Sequence, residues 1–181
     1  MTYLKSMPAD ATLLQVFQAY PETARPLLEQ HELVMRGPSP FTVAERELIS
    51  AYVSGLNACT YCHGVHTATA EAFGVPEKLL AAALDDLASA PVDERLRPVL
   101  EYVGKLTRTP AQVTEADVAA VLAAGWDERA VHDAVMVCAL FNFMNRLVDG
   151  LGVRAPAGYY AVSAQRLHDH GYAALADHLP G

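Results

Sequence analysis

The sequence predicts an all-α single domain, on three observations. Apolar residues recur at helical spacing through almost every segment, β-branched alternation is scarce, and capping and breaking residues punctuate the chain one helix apart. At 181 residues the chain can bury one sizeable core, so one domain spanning residues 1–181 is expected.

Two short helices open the chain, Thr12 to Tyr20 and Glu22 to Met35, separated by Pro21. Gly37, Pro38 and Pro40 then break it. Thr42-Val43-Ala44-Glu45 reads as a capping box, the hydroxyl bonding forward and the carboxylate reaching back. The helix it opens carries Leu48, Ile49, Tyr52 and Val53 on its apolar side. Asn57 is the expected N-cap of the next helix, which Gly74 and Pro76 stop. A further helix is expected after Pro76 to about Leu87, another from Asp93 to about Thr107, and one from Thr114 to near Gly125. Asp127 to Asp149 is apolar nearly all round, which places that helix at the centre of the core or in a subunit interface. The tail, residues 155–181, holds Tyr159, Tyr160 and a final helix that docks on this subunit or on a neighbour.

Apolar residues make up 52% of the chain, above the usual roughly 45–50%, which suggests extra surface buried between subunits. Thirteen Lys and Arg against 21 Asp and Glu give a net charge of −8 with no basic run, which argues against nucleic-acid binding. Met1 to Met7 lacks the apolar stretch of a signal peptide, and the longest apolar run, Ala134 to Phe141, is too short to span a bilayer. The expectation is a soluble, cytoplasmic protein that neither enters a membrane nor binds nucleic acid.

Three cysteines cannot all pair with one another, and two of them stand three residues apart. In a reducing compartment that spacing suggests redox catalysis or metal binding. The informative stretch is Glu47, then Cys59-Thr60-Tyr61-Cys62, then His66. A helix starting near Asn57 places Cys59 in its first turn, Cys62 at i+3, and His66 at i+4 from Cys62 on the same face. Helix N-termini favour the thiolate, because unpaired N–H groups point at the sulfur. An imidazole can take the proton or relay it to a carboxylate, and a second thiol can condense with a sulfenic acid. These are the parts that peroxide reduction needs: nucleophile, proton relay and resolving thiol.

The run Glu47, eleven residues, Cys59-x-x-Cys62, three residues, His66 resembles the alkylhydroperoxidase D core of the carboxymuconolactone decarboxylase superfamily. The lead-in from Thr42 to Ile49 is similar to that of the family. The run from Phe141 to Gly150 resembles its peroxidase-related branch, so the likeness spans about Phe41 to Gly152, a core motif region of 41–152. The resemblance implies an all-helical fold assembled as a ring-like homo-oligomer, a trimer or hexamer. It also implies hydroperoxide reduction without haem, flavin or metal, through a redox-active Cys59–Cys62 disulfide. By the resemblance Cys62 is the attacking sulfur, Cys59 its disulfide partner, and His66 with Glu47 the proton relay. The sequence does not name the reductant: a lipoyl domain, a thioredoxin-like protein or a small thiol would all fit. In one respect the chain departs from alkylhydroperoxidase D, which has a histidine between its cysteines where this chain has Tyr61.

Other readings of the same residues stand beside this one. Cys59-Thr60-Tyr61-Cys62-His63 also fits a c-type haem attachment signature. Cys59, Cys62 and His66, with Glu47 or Cys138 as a fourth ligand, could make a zinc site or redox-sensing scaffold. A disulfide reductase without peroxidase activity fits as well. Tyr61 could bond a peroxide oxygen or simply pack beside the pair. Cys138 is expected to be buried and inert, and His63, His132, His168, His170 and His178 to lie at the surface. Asn142, Asn145 and Arg146 interrupt an apolar helix, so they are expected to cap a neighbouring helix or bridge subunits.

Overall fold

The computed structural model describes residues 2–156 and 158–180, and among these there is no β-strand. Thr12 forms a capping box with Gln15 and opens α1, Leu13–Ala19. Helix α2 follows directly as Pro21–Arg36. Pro21 occupies its first turn, where no backbone donor is lost, so it starts this helix as well as separating it from α1. The Thr42–Glu45 capping box forms as read and opens α3, Val43–Leu56.

Between α3 and α4, Thr60–Ala72, the expected cap moves by two residues. Asn57 closes α3, and Cys59 is the N-cap of α4. Ala58 makes the turn at φ 55°, a left-handed conformation that costs a Cβ-bearing residue about 1–2 kcal/mol. The Asn57 amide holds this turn from outside by donating to Asn142 Oδ1 at 3.1 Å and to Asn145 Oδ1 at 2.8 Å. Asn145 in turn donates to Ser54 Oγ at 3.0 Å. The polar residues of the late apolar helix therefore fasten the α3–α4 corner within this chain.

Helix α5 is shorter than read, Leu79–Asp85. Helix α6 is Arg97–Arg108, four residues later than Asp93, because Asp93 instead accepts from Arg95 N–H at 2.8 Å in a turn of its own. Helix α7, Glu115–Ala123, opens on a Thr114–Asp117 capping box, and α8, Glu128–Gly150, on Asp127, which accepts from Ala130 N–H at 2.8 Å.

The centre of the fold is α3. Every residue from Arg46 to Ser54 is buried, and α3 packs against α4, α6 and α8. Helix α8 gives the core one face, with Ala134, Val137, Cys138, Phe141, Met144 and Val148, and leaves Ala139 and Phe143 exposed. By length and composition α8 could cross a membrane, yet half of its apolar window is buried inside the fold.

The tail folds back onto its own chain as α9, Tyr159–His170, followed by a 3₁₀ helix, Ala173–His178. Helix α9 lies against α4. Gly64 permits this, since a Cβ there would meet the Tyr160 ring at 2.4 Å. Gly171 makes the turn after α9 at φ 66°, where a Cβ would strike Glu32 at 2.7 Å. That closeness lets Glu32 Oε2 accept from the N–H groups of Tyr172 and Ala173, at 2.7 and 3.0 Å.

Candidate active site

Glu47 lies at the middle of α3 with no exposed surface. An isolated carboxylate there would be costly, so its partners decide its state. His66 Nδ1–H donates to Oε2 at 2.7 Å, Arg36 Nη2 pairs with Oε1 at 2.7 Å, and the Tyr172 hydroxyl donates to Oε1 at 3.0 Å. Burial pushes the carboxyl up, but His66 and Arg36 outweigh it and hold Glu47 below its ordinary range. The Tyr172 phenol is pushed far up, by burial and then by the Glu47 charge, so it stays a donor.

Glu47 also orients His66. With Nδ1–H bound to the carboxylate, the neutral ring carries its lone pair on Nε2. The ring is fixed from the side by the edge-on Phe141, with centroids 4.5 Å apart. Cys62 lies one helical turn before His66 on α4, and both line one cavity of about 60 Å³. Cys59 is fully buried behind Cys62 and does not line that cavity.

Both cysteines are free thiols and share a hydrogen bond. Donation from the Cys62 thiol, opposed by burial and helped by the Cys62 amide, holds Cys59 below the ordinary thiol range. The same bond, followed by burial, holds Cys62 above it. Of the two thiols, Cys59 is the one held down, at the N-cap of α4.

Of the residues read from sequence, the structure brings together Glu47, His66 and Cys62, with Cys59 adjoining Cys62. Tyr61 turns into the cavity, where its hydroxyl donates to Tyr159 at 2.7 Å. His63 departs from its surface reading: it is half-buried and its Nδ1–H donates to the Ala51 carbonyl at 3.0 Å. Cys138 is buried in α8 beside Thr107, away from the cavity. His132, His168, His170 and His178 are exposed. No cluster of three or more His, Cys, Asp or Glu side chains arranged to hold a metal ion occurs among the described residues.

Three members of the site carry no local signal. Arg36 ends α2 and Tyr172 follows the Gly171 turn, so neither is near Glu47 in sequence. The third, His31, lines the cavity from α2 with its Nδ1–H on the Leu27 carbonyl at 2.7 Å. Burial brings its pKa down to about 4, so it is a neutral ring at pH 7.

Residues 21–104 match the carboxymuconolactone decarboxylase family, a stretch that contains the whole Glu47–Cys59–Cys62–His66 set but not α8. No curated protein matches the chain. A peroxidase-related protein from Silicibacter sp. TM1040, itself uncharacterized, is similar at 28% identity, with a TM-score of 0.76 over 82% of this chain and 78% of that one. An uncharacterized peroxidase-related protein from Ralstonia eutropha JMP134, bearing the alkylhydroperoxidase AhpD core, has the same fold at 23% identity. Its TM-score is 0.75, over 82% of this chain and 78% of that one. A protein of unknown function from Agrobacterium tumefaciens, at 18% identity and a TM-score of 0.67, covers 81% of this chain and 99% of its own. Residues 21–104 thus match the carboxymuconolactone decarboxylase family, and the fold of the chain is similar to that of these peroxidase-related, AhpD-like neighbours.

Proposed function

We propose that the protein is a thiol peroxidase that reduces hydroperoxides through a Cys59–Cys62 disulfide cycle and needs no metal or organic cofactor. The observation that carries this reading is the joint exposure of Cys62 and His66 to one small cavity, with the Glu47 charge buried directly behind the imidazole. His66 Nε2 takes the first proton from the dithiol, leaving the charge shared between the sulfurs. A hydroperoxide entering the cavity meets Cys62. The Cys62 sulfur attacks the distal oxygen while its own proton passes to the Cys59 sulfur. The O–O bond breaks, the alkoxide takes the proton held on His66, and Cys62 becomes a sulfenic acid. Cys59 then attacks Cys62 Sγ, and hydroxide leaves as water with the Cys59 proton. In sum, R–OOH and a dithiol give R–OH, water and a disulfide, which an external dithiol reductant resets.

The test is a thiol count by alkylation and intact mass, before and after one equivalent of tert-butyl hydroperoxide. Of the three thiols in the chain, two should be lost, and peptide mapping should place them at Cys59 and Cys62. Cys62→Ser should abolish turnover, whereas Cys59→Ser should trap a sulfenic acid on Cys62. Three thiols still free after minutes would overturn the proposal, and a sulfenic acid on Cys59 would reverse the two roles.

We further propose that the chain works as a homo-oligomer. Phe143, 53% exposed, and Tyr20, 42% exposed, line a groove with Leu27, Leu147 and Leu151. Large apolar side chains clustered this way are unusual on a face that stays in water.

A further inference from the structure

The cavity that reaches Cys62 has one polar wall that the peroxide chemistry leaves unused. Tyr159, Ser163 and Arg166 stand at i, i+4 and i+7 on α9, so they share a face, and all three line the cavity. Leu13, Phe17, Leu28 and Leu175 add apolar lining to the same cavity.

Arg166 is the informative member. Its Nη2 donates to Ser163 Oγ at 3.1 Å, yet no carboxylate among the described residues lies within ion-pair distance of it. Its Nε is shielded from solvent and has no acceptor. A donor left unmet in this way needs an explanation, and a bound anion supplies one. Arg36, another guanidinium close to the site, is already paired with Glu47. The hydroxyls beside Arg166 have donors to spare. Tyr61 donates to Tyr159, which leaves the Tyr159 hydrogen free, and Ser163 accepts from Arg166, which leaves its own hydrogen free.

We propose that this wall binds the carboxylate of the substrate. The substrate is then a short-chain acid that carries its hydroperoxide at the far end from the carboxylate. The planar guanidinium fork suits two carboxylate oxygens, the apolar lining takes the carbon skeleton, and Cys62 meets the peroxide. The small cavity limits the skeleton to a few carbons. The peroxide end of this substrate rests on the function proposed above, whereas the carboxylate end rests on the α9 wall alone.

The experiment uses two unreactive probes, hexanoate and 1-hexanol, titrated by calorimetry into the fully reduced protein. Hexanoate should bind and slow the alkylation of Cys62, with 1-hexanol at least about tenfold weaker, as for a lost charge-assisted bond. Arg166→Leu should weaken hexanoate by about tenfold or more while shifting 1-hexanol less than about twofold, and Arg166→Lys should recover part of the loss. Equal affinity for the two probes, or an Arg166→Leu variant that binds hexanoate as the wild type does, would overturn the proposal. Neither probe carries a peroxide, so a failed thiol count beside a retained hexanoate preference would remove the peroxide chemistry and leave the acid site standing.

Discussion

Two buried residues of the site, Glu47 and His31, show how packing sets protonation. Glu47 stays charged because His66 and Arg36 outweigh its burial. His31 has no such partner, and burial wins, taking it from an ordinary 6.5 to about 4. The pH dependence follows from that lowered value. Below pH 6.5 the unfolded chain takes a proton on this imidazole, while the native chain refuses it until about pH 4. The stability due to neutral His31 is therefore whole above pH 6.5 and is lost as pH falls from there towards 4. By pH 5 the loss amounts to about 2 kcal/mol, at about 1.4 kcal/mol per pH unit. Urea unfolding of wild type and His31→Phe at pH 7.5 and pH 5 measures it. The wild type should lose more stability than the variant over that interval, and parallel losses would assign the effect to other groups.

At the scale of elements, the tail completes the site from a distance. Helix α9 supplies the polar wall, its Leu167 carbonyl accepts from Arg36 at 3.2 Å, and the turn after it delivers Tyr172 to Glu47. Two tyrosines from this segment should respond differently to loss of a hydroxyl. Tyr172→Phe removes a donor from a buried carboxylate and should cost about 1.5–3 kcal/mol. Tyr160, 38% exposed, donates only to the Thr60 carbonyl at 3.1 Å, and Tyr160→Phe should cost about 1 kcal/mol or less. Denaturation midpoints of the pair decide this, and equal losses would mean the Tyr172 hydroxyl does nothing special for Glu47. The cap of α4 was misread at this same scale. Asn57 is a fitting N-cap by residue type, but its amide is taken by Asn142 and Asn145 from α8, and the helix starts two residues later.

For the whole molecule, the question is what covers the outer faces of α2 and α8. Light scattering at micromolar concentration should find an assembly, and Phe143→Asp, in the exposed patch, should shift it towards smaller species. A monomeric wild type would end the oligomer proposal. Within one chain the residues declare a good deal by themselves. The all-helical class, the capping boxes at Thr42 and Thr114, and the placing of Cys62 and His66 on one face of α4 are local matters. Each is decided by side chains within about one turn of each other, so spacing alone reveals it. Glu47 was legible only through its distance from the cysteine pair in a familiar motif. Arg36, His31, Tyr172 and Arg166 could not be found that way, because each enters the site from another helix or turn. Their sequence neighbours resemble those of any half-buried polar residue. What makes them part of the site is the docking of α2 and the tail around α3 and α4, and only that packing decides which charges are buried together and that the Arg166 Nε is left without an acceptor.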